Sequence, residues 1–399
     1  MPSPPPFEPS VALLSSLVAS STSSFTRYLS ASTPREKAAA LGALAQNAQE
    51  LSVAATSPFH AIEMLVHQNH AAVCVKIAFK IGVFSALPVA GPATVQEISL
   101  AVNAEPDFVL RIIRAIAAVG ILVEVEEQSY AHTPMSRIWT YPGAKEAFQY
   151  WDDTDVTMSK LASYFDVHGY KSPSDPKNTP VAFAREERDM DLFTLMSRHP
   201  PMLDSFNQTM TFSSVMAAKE LCELFQFDAL KPGENDVVLV DVGGGKGQSL
   251  NDILMSFPNM KGQAVLEDLD IVVDSDLIKL GDRVRIQPYN FLADVQPVQG
   301  AAAYLFKNIF HDWPDAECLR ILANMAPAMR GHGSRLLICD LVIPDRHPPA
   351  IKALRDINML QFSGRERSQK QWYDLLRQAG FQIIQIHGLE ARTNSLIEA

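Results

Sequence analysis

The stretch VVLVDVGGGKG (residues 237–247) decides the fold of this chain. Its first six residues are rich in valine and do not alternate with polar residues, which is typical of a parallel strand covered on both faces. The four glycines that follow lead into a helix predicted to begin near Gln248. Glycine tolerates positive φ angles and has no Cβ, so the backbone of such a loop can approach a ligand closely. The sequence therefore predicts a ligand-binding turn between a buried strand and a helix.

Strand-like and helix-like patterns alternate along the chain from residue 237 onward. This order predicts a doubly wound α/β sheet, with parallel strands and helices on both faces. Strands are predicted at 237–242, 263–267, 283–287, 301–306, 335–341 and 381–386. Helices are predicted at 248–257, 270–280, 316–329, 350–362 and 369–379. Ligands of such sheets bind beyond the carboxyl ends of the strands, so the residues that follow each strand are the candidates for function.

The second and third predicted strands end in residues that could hold a nucleoside. Asp268 ends the second strand, 25 residues after Gly243, close to the spacing at which an acidic side chain accepts the ribose hydroxyls. A charge that is simply hydrated at a strand end is the alternative interpretation. Asn290 and Phe291 end the third strand, where an amide and a ring could bind adenine. The pattern therefore predicts a nucleoside site formed by the glycine loop and these strand ends.

The segment FKNIFHDWPD (residues 306–315) leaves the fourth predicted strand and enters the next helix. His311 stands beside Asp312 and Trp313 at the edge of the sheet where ligands bind. An imidazole there would face a ligand that lies over the glycine loop and could accept a proton from it. The alternative interpretation is a helix-entry residue with only a structural role.

The N-terminal part of the chain has the apolar spacing of helices at 11–29, 35–56 and 71–87. The first two of these helices have too little apolar surface to form a core of their own. We expect them to pack on another element, such as a second copy of the chain.

Residues 94–134 have the pattern of a winged helix, in which two short helices precede a hairpin. Thr94 and Glu97 form a capping box at the start of the first helix, and ILVEVE and SYAHT read as paired strands. DNA binding would require a basic recognition face. The acidic residues of this segment outnumber its arginines, so the pattern favours a structural or dimerisation role.

The stretch KSPSDPKNTPVA (residues 170–181) is rich in proline, serine and lysine and is predicted to be a linker. It divides the chain into an N-terminal helical and winged-helix domain, 1–180, and a sheet domain, 181–399. Methionine and phenylalanine side chains recur at helical spacing just after this stretch. They belong either to a core or to a pocket, and their number favours neither interpretation.

Composition sets outer limits on the function. The chain has 399 residues and a net charge of −11, which argues against binding to duplex nucleic acid, because that depends on neutralising phosphates with Lys and Arg. It contains no apolar run of about 18 residues that could span a membrane. MPSPPPFEPS at the start lacks the basic region of a signal peptide. The four cysteines are scattered, which favours free thiols in a reducing compartment, so we expect a cytoplasmic protein.

Five motifs, in order, resemble the plant-caffeate-type O-methyltransferases as found in fungal secondary metabolism. They are LVDVGGGKG (239–247), LEDL (266–269), FKNIFHDWPD (306–315), RLLICDLVIP (335–344) and GRERSQKQW (364–372). The first contains the D-x-G-x-G-x-G form that is found in class I S-adenosylmethionine (SAM) methyltransferases. The resemblance implies a homodimer joined through the winged-helix domain. It further implies methyl transfer from SAM to a hydroxyl of an aromatic polyketide or phenol.

The resemblance also implies roles for individual residues. His311 resembles the general base, and Asp340 and Glu366 resemble the two acids that flank it. The residues that resemble cofactor contacts are Asp241, Gly243, Gly245, Asp268, Asn290, Phe291 and Lys307. The residues that resemble the substrate wall are Met202, Phe206, Met210, Asn358 and Phe362. No metal is implied. The plant pattern has Glu, one methylene longer, where Asp340 stands, and Asp where Asn290 stands.

Two other functions are compatible with a SAM pocket. Some members of this fold catalyse cyclisation or pericyclic steps, with the sulfonium as a fixed positive charge. The HDW segment favours methyl transfer, because a pericyclic enzyme does not need a base there. A SAM-sensing regulator built on the winged helix would need a basic surface, which this sequence lacks.

Overall fold

The structure, a computed structural model, describes residues 7–141, 143–217, 220–232, 236–273, 280–389 and 393–399. The chain divides into two compact units, Met1–Phe148 and Gln149–Ala399. Among the described residues, no helix is both long enough and apolar enough to cross a bilayer.

Capped helices make up most of the first unit. Ser10, Thr33 and Ser57 precede the first three helices and accept hydrogen bonds from main-chain N–H groups of the first turn. The third helix begins at Pro58, a residue that suits the first position of a helix, and not at residue 71 as the sequence pattern predicted. The helices are α1 Val11–Ser30, α2 Pro34–Ala55, α3 Pro58–Ile81, α4 Val83–Ala86, α5 Val95–Val102, α6 Pro106–Ala118 and α7 Pro134–Arg137.

A small antiparallel sheet completes the winged helix that was predicted for residues 94–134. Its strands are β1 Ala93–Thr94, β2 Leu122–Glu126 and β3 Ser129–His132, in the order β1-β3-β2. A buried apolar cluster that includes Val75, Ile98, Ile113 and Tyr130 joins α3, α5 and α6 to this sheet. The winged-helix region therefore has a core of its own.

Residues 170–181 are not a linker between the two units, contrary to the sequence-based prediction. They lie wholly within the second unit, because the boundary between the units falls at residue 148 and not at 180. The Ser363 hydroxyl donates to the carbonyl oxygen of Asp175, and the Val181 N–H donates to that of Gln361. The proline- and serine-rich composition thus marks an irregular segment whose main chain is hydrogen-bonded to the second unit.

The second unit alternates strands and helices from residue 237, as predicted. Its strands are β4 Val237–Val242, β5 Gln263–Asp268, β6 Val284–Pro288, β7 Ala303–Lys307, β8 Arg335–Asp340, β9 Val342–Ile343, β10 Arg367–Ser368, β11 Gln385–His387 and β12 Ser395–Glu398. Its helices are α8 Ala144–His168, which crosses the unit boundary, α9 Pro180–Ala184, α10 Leu192–Arg198, α11 Pro200–Ala217, α12 Glu220–Leu224, α13 Gln248–Ser256, α14 Asp270–Val273, α15 Asp315–Met329, α16 Ala350–Leu360 and α17 Gln369–Gln378. Part of the predicted helix 270–280 lies outside the described residues.

One sheet in this unit has the strand order β11-β12-β8-β7-β4-β5-β6. β8, β7, β4, β5 and β6 run parallel, whereas β12 is antiparallel to both of its neighbours. The sequence pattern missed β12, because four residues, SLIE, are too short a run to stand out. The parallel part is the doubly wound α/β fold that was predicted. It brings the carboxyl ends of β4, β5, β7 and β8 to one edge.

The burial of the central strand β4 explains why its sequence does not alternate between apolar and polar residues. All of its residues are buried. Val240 and Val242 belong to one apolar cluster and Leu239, which lies next to Val240, to another. Because successive side chains of a strand point to opposite faces, both faces of this strand are covered.

Candidate active site

The glycine loop follows β4 at the carboxyl edge of the sheet. The N–H groups of Gly243 and Gly244 donate to the carbonyl oxygen of Glu267 at 2.8 and 3.1 Å, which fastens the loop to β5. Gly243 has a φ of 69°, a left-handed conformation that favours glycine. A Cβ on Gly244 would lie 2.5 Å from Leu266 Cδ1 and 2.6 Å from Asp241 Oδ2. The loop therefore has no room for a side chain at this position.

Asp268 lies directly against the glycine loop. Its Oδ2 accepts a hydrogen bond from the Gly245 N–H at 2.8 Å, and its Oδ1 accepts one from the Leu269 N–H at 2.7 Å. Burial raises the pKa of this carboxyl, and the two N–H groups partly oppose that rise. The structure thus brings together the acid and the loop that the sequence placed 25 residues apart.

Asp241 is buried beneath the loop, and neither of its carboxylate oxygens has a hydrogen-bond partner among the described residues. Burial raises its pKa to about 7, and the positive charge of Lys307 at the end of β7 partly opposes this rise. Buried carboxylate oxygens are costly without donors. Asp241 therefore fits a ligand that brings an ammonium or hydroxyl group.

The two residues predicted to bind adenine differ in their surroundings. The Phe291 ring lies 3.4 Å from the position that a Cβ on Gly243 would occupy and makes an edge contact with Trp313, with ring centroids 6.3 Å apart. Asn290 is engaged locally, because its Oδ1 accepts a hydrogen bond from the Leu292 N–H at 3.1 Å. The geometry therefore supports a ligand contact for Phe291 more directly than for Asn290.

His311 sits in a 3-10 turn, Phe310–Asp312, between β7 and α15. Its Nδ1 lies 3.1 Å from Glu366 Oε1, and its Nε2 lies 3.7 Å from Asp312 Oδ1. The imidazole is 18% exposed, so one side of it remains open. The Glu366 side chain is 4% exposed, so it contacts the His311 ring from the protein interior. The contact to Glu366 assigns the proton of neutral His311 to Nδ1 and leaves Nε2 as the acceptor.

Asp340, which the resemblance placed beside His311, makes no ion pair with the ring among the described residues, but its negative charge raises the pKa of His311. It ends β8 and is fully buried, and its carboxylate oxygens have no hydrogen-bond partner among the described residues. Asp312, adjacent to the histidine in sequence, is the second acid at the ring.

The three acids change the protonation of His311. Burial by itself would lower the pKa of this imidazole, but the negative charges of Asp312, Glu366 and Asp340 raise it to about 10. Burial raises the pKa of Asp312 and of Asp340 to about 6, and the charge on His311 opposes both rises. The cluster therefore favours the imidazolium form near neutral pH, with carboxylates around it.

The main chain of residues 364 and 365 packs against that of His311. The Arg365 N–H donates to the carbonyl oxygen of His311 at 2.8 Å. A Cβ on Gly364 would lie 2.2 Å from the same oxygen and 3.1 Å from the Asp312 Cα. The segment that carries Glu366 can therefore approach the histidine only because Gly364 has no side chain.

We expect Gly364→Ala to reduce turnover at least tenfold, since a displacement of about 1 Å at a reacting group can cost 10²-fold. The added methyl meets main-chain atoms, which cannot move aside as a side-chain end would, so we also expect stability to fall by about 1–3 kcal/mol. Gly281→Ala is the matched control, because a Cβ there meets nothing within 4 Å. Urea unfolding and steady-state rates would measure both effects. Wild-type rates for Gly364→Ala would contradict the assigned contact.

Three of the five predicted wall residues share one apolar cluster. Met202, Phe206 and Phe362 pack with Met359 and Met196. Rings connect this cluster to the histidine turn: Phe206 lies 6.4 Å from Phe193, and Phe193 stacks on Trp313 at 6.1 Å between centroids.

The other two predicted wall residues lie outside that cluster. Asn358 is partly buried on α16, and its Oδ1 accepts a hydrogen bond from Gln361 at 2.8 Å. Met210, on α11, is 36% exposed. Asn358 contacts Met359 of the cluster, and the place of Met210 in a substrate wall stays a prediction.

No role was predicted from the sequence for Asp312, Gly364, Phe193 or Met359. The signal for Met359 was its place beside Asn358, and for Gly364 its place two residues before Glu366. The signal for Asp312 was its place beside His311, but the tight turn at Phe310–Asp312 is what brings its carboxylate towards the Nε2 of that residue.

Known protein families match both parts of the chain. Residues 177–382 match the O-methyltransferase domain family, and residues 65–141 match the O-methyltransferase dimerisation domain family. An O-methyltransferase of Pestalotiopsis microspora, GME11366, is 30% identical over 85% of this chain and 84% of its own length. The demethylsterigmatocystin 6-O-methyltransferase of Aspergillus flavus is 28% identical over 81% of this chain and 83% of its own length.

Solved structures share the fold over nearly the whole chain. The crystal structure of OxaC has a TM-score of 0.81 and 23% identity, and the match covers 97% of this chain and 98% of OxaC. A structure described as a pericyclic reaction enzyme has a TM-score of 0.79 and 22% identity, and the match covers 96% of this chain and 99% of that one. These likenesses concern the fold.

Proposed function

This chain belongs to the O-methyltransferase family and is a SAM-dependent O-methyltransferase, and we propose that it methylates a hydroxyl of an aromatic secondary metabolite, polyketide or phenol, with His311 as the general base. The observation that carries the proposal is the position of His311, held by Glu366 on one nitrogen and close to Asp312 on the other. It lies at the carboxyl edge of the parallel strands, where the glycine loop also lies.

The residues near the glycine loop fit SAM. Asp268 offers carboxylate oxygens for ribose hydroxyls, and Asp241 offers two buried oxygens that lack donors among the described residues. A Cβ on Gly245 would meet only Gln248 Oε1, at 4.0 Å, so the loop is open at this glycine, and Phe291 provides a ring beside Gly243. When bound there, SAM supplies a methyl group on a positively charged sulfur.

An aromatic acceptor fits the apolar wall. Met202, Phe206 and Phe362 are flexible or aromatic side chains that pack well on flat rings. The ring contacts through Phe193 and Trp313 extend this apolar surface to the histidine turn. An acceptor hydroxyl at His311 would therefore be attached to a ring that lies along the wall.

His311 would take the proton of the acceptor hydroxyl at Nε2. An ordinary imidazole, with a pKa of about 6.5, accepts a proton from a phenol, with a pKa of about 10, at a cost of roughly 5 kcal/mol. The surrounding carboxylates raise the pKa of His311 to about 10, which removes most of that mismatch. Glu366 orients the ring through Nδ1, as a buried acid does in a catalytic triad. Alignment of the oxygen, the methyl carbon and the sulfur supplies the rest of the rate.

Labelled SAM and a panel of polyketide phenols provide the test. Transfer of label to a phenol, with one S-adenosylhomocysteine released for each substrate consumed, would support the proposal. Consumption of substrate without S-adenosylhomocysteine release would support the second candidate, a cyclase or pericyclase that keeps SAM intact.

One observation favours that second candidate. The raised pKa keeps His311 protonated near neutral pH, and an imidazolium can donate a hydrogen bond to a carbonyl instead of accepting a proton. The fold likeness to a pericyclic reaction enzyme is consistent with it. Family membership and the contact between His311 and Glu366 favour methyl transfer.

We expect Asp268→Ala to weaken SAM binding at least tenfold, or about 1.4 kcal/mol, because it removes a charged hydrogen-bond acceptor beside the loop. The contact to the Gly245 N–H is also lost, so the loop itself should become less ordered. Titration calorimetry would measure the affinity, with the exposed Asp282→Ala as control. Equal affinities for the two variants would contradict the assignment.

We expect the protein to be an obligate homodimer through its N-terminal half. The match of residues 65–141 to a dimerisation domain supports this. Many apolar side chains of α1, α2 and α3 are exposed within the single chain, among them Val11, Leu13, Val18, Phe25, Leu29, Val53, Phe59, Ile62 and Leu65. A second copy would cover such surface. Sedimentation that shows a folded, active monomer at micromolar concentration would rule this out.

A further inference from the structure

Arg367 is a buried arginine whose guanidinium donates hydrogen bonds to the turn that carries His311. Its side chain is 1% exposed. Nη1 donates to the carbonyl oxygen of Phe310 at 2.9 Å, and Nη2 donates to that of Trp313 at 2.9 Å. Nε and Nη2 both donate to Asp315 Oδ1, at 3.0 and 2.7 Å. The planar fork of arginine thus meets three acceptors at once.

These acceptors lie on both sides of His311. Phe310 precedes it in the 3-10 turn, Trp313 ends the turn, and Asp315 begins α15. Hydrogen bonds from a charged donor are roughly twice as strong as those between neutral groups. The guanidinium therefore fixes the main chain before and after the imidazole.

Arg367 is itself firmly held. It pairs with Val342 between β10 and β9, and its guanidinium carbon lies 5.4 Å from the centre of the buried Trp372 ring. It directly follows Glu366, whose N–H donates to Asp356 at 2.9 Å. One short segment therefore positions both the His311 ring, through Glu366, and the His311 main chain, through Arg367.

We propose that Arg367 is a positioning residue for the base, which it holds against Glu366 by fixing the main chain of the His311 turn. This inference rests on the proposed function for its effect on turnover. Its geometric content, the link from Arg367 to the placement of the ring, does not depend on the reaction. Arg367 does not itself touch the imidazole, so it acts through the turn.

Lysine and arginine differ in the way that this role requires. A lysine would keep the positive charge, but its single ammonium cannot reach Phe310, Trp313 and Asp315 together in the geometry of the fork. Arg367→Lys therefore keeps the buried positive charge but removes the simultaneous hydrogen bonds to the three acceptors. Arg367→Met removes both. Arg365→Met is the matched control, because Arg365 pairs with the same Asp315 carboxylate at 3.7 Å but has a 37% exposed side chain.

Turnover and cofactor affinity are the first readouts. For Arg367→Lys we expect the turnover number to fall 10- to 100-fold, as for a small misplacement of a reacting group, with SAM affinity within about twofold of wild type. Arg367→Met should fall at least as far, and Arg365→Met should stay within about twofold of wild type. A turnover number near wild type for Arg367→Lys would overturn the proposal.

The titration of His311 is the readout that a merely structural role would not move. It can be followed by NMR on histidine-labelled protein, with the resonance assigned by its absence from His311→Gln. Loosened contact with Glu366 and Asp312 should lower the pKa of His311 in Arg367→Lys from about 10 towards 6.5, by more than one pH unit. An unchanged pKa in folded Arg367→Lys would overturn the proposal. A variant that does not fold would also overturn it, because the arginine would then support the whole fold and not the turn.

The NMR result also separates this inference from the proposed function. If the wild type transfers no methyl group to any phenol but the pKa of His311 falls in Arg367→Lys, the proposed function fails and the positioning role stands. If methyl transfer occurs and the pKa does not move, the proposed function stands and the positioning role fails.

Discussion

Replacing His311 with alanine is expected to lower the turnover number by roughly 10²–10⁴-fold, the range typical for removing a positioned general base. The alanine side chain cannot accept the acceptor's proton. It also leaves Glu366 and Asp312 without the cation that lies between them, at 3.1 and 3.7 Å in the wild type. SAM affinity should stay within about twofold, because the residues assigned to the cofactor lie at the glycine loop.

His347→Asn is the control for this variant. His347 is an exposed histidine with a φ of 51°, a conformation that asparagine tolerates better than alanine does. The His347→Asn variant should methylate the acceptor at the wild-type rate. If His311→Ala also methylates near that rate, His311 is only a helix-entry residue and the phenolate forms in another way. Calorimetry with SAM on each variant would show whether any lost activity reflects lost cofactor binding.

The residues predicted to bind the cofactor could be found from the sequence because they lie in one short loop or directly follow predicted strands. An unbroken valine run predicts a strand covered on both faces, and β4 is buried along its whole length. Parallel strands bring their carboxyl ends to one edge, so Asp268 and Gly245 could be expected to meet. They do, through a hydrogen bond of 2.8 Å.

Contacts that depend on tight turns could not be predicted in this way. Asp312 is next to His311 in sequence, and neighbouring side chains usually point in different directions. Only the 3-10 turn brings Asp312 Oδ1 to 3.7 Å from His311 Nε2. Asp340 shows a second case: the family pattern places an acid there, and the aspartate acts on the pKa of His311 through its charge without an ion pair to the ring among the described residues.

Polar composition was misleading at residues 170–181 and gave no indication of the role of Arg367. Arg367 lies in the polar run GRERSQK, yet its side chain is 1% exposed because carbonyl oxygens and Asp315 accept its hydrogen bonds. Residues 170–181 read as a linker, yet their main chain is bonded to Ser363 and Gln361, which lie far along the chain. Amino-acid composition indicates how well a segment is solvated by water, whereas these hydrogen-bond partners come close only in the folded chain.

The second large effect expected is a steep pH dependence. The base form of His311 is the unprotonated imidazole, and the pKa of this group is raised to about 10. At pH 7 about one molecule in a thousand would hold it unprotonated. We therefore expect kcat/KM to rise about tenfold for each pH unit from 7 towards 10 and then to level off.

Replacing Glu366 with glutamine should move this rise to lower pH. Glu366 is a negative charge 3.1 Å from Nδ1 and helps to keep His311 protonated, so its removal should lower the pKa of His311 by about 1–3 units. The plateau at high pH should fall below that of the wild type, because an amide stabilises the imidazolium less than a carboxylate does. The exposed Asp374→Asn, which removes a surface charge paired with Arg377, should leave the profile unchanged.

The acceptor phenol titrates in the same pH range, so its contribution has to be separated from that of His311. Two acceptors that differ in phenol pKa separate the two contributions. If the rise of kcat/KM with pH reports the substrate, it shifts when the acceptor is changed. If the rise reports His311, it shifts in Glu366→Gln. A profile that shifts with the acceptor and is the same in wild type and Glu366→Gln would mean that the enzyme binds phenolate from solution. In that case the contact between His311 and Glu366 would orient the substrate without removing its proton.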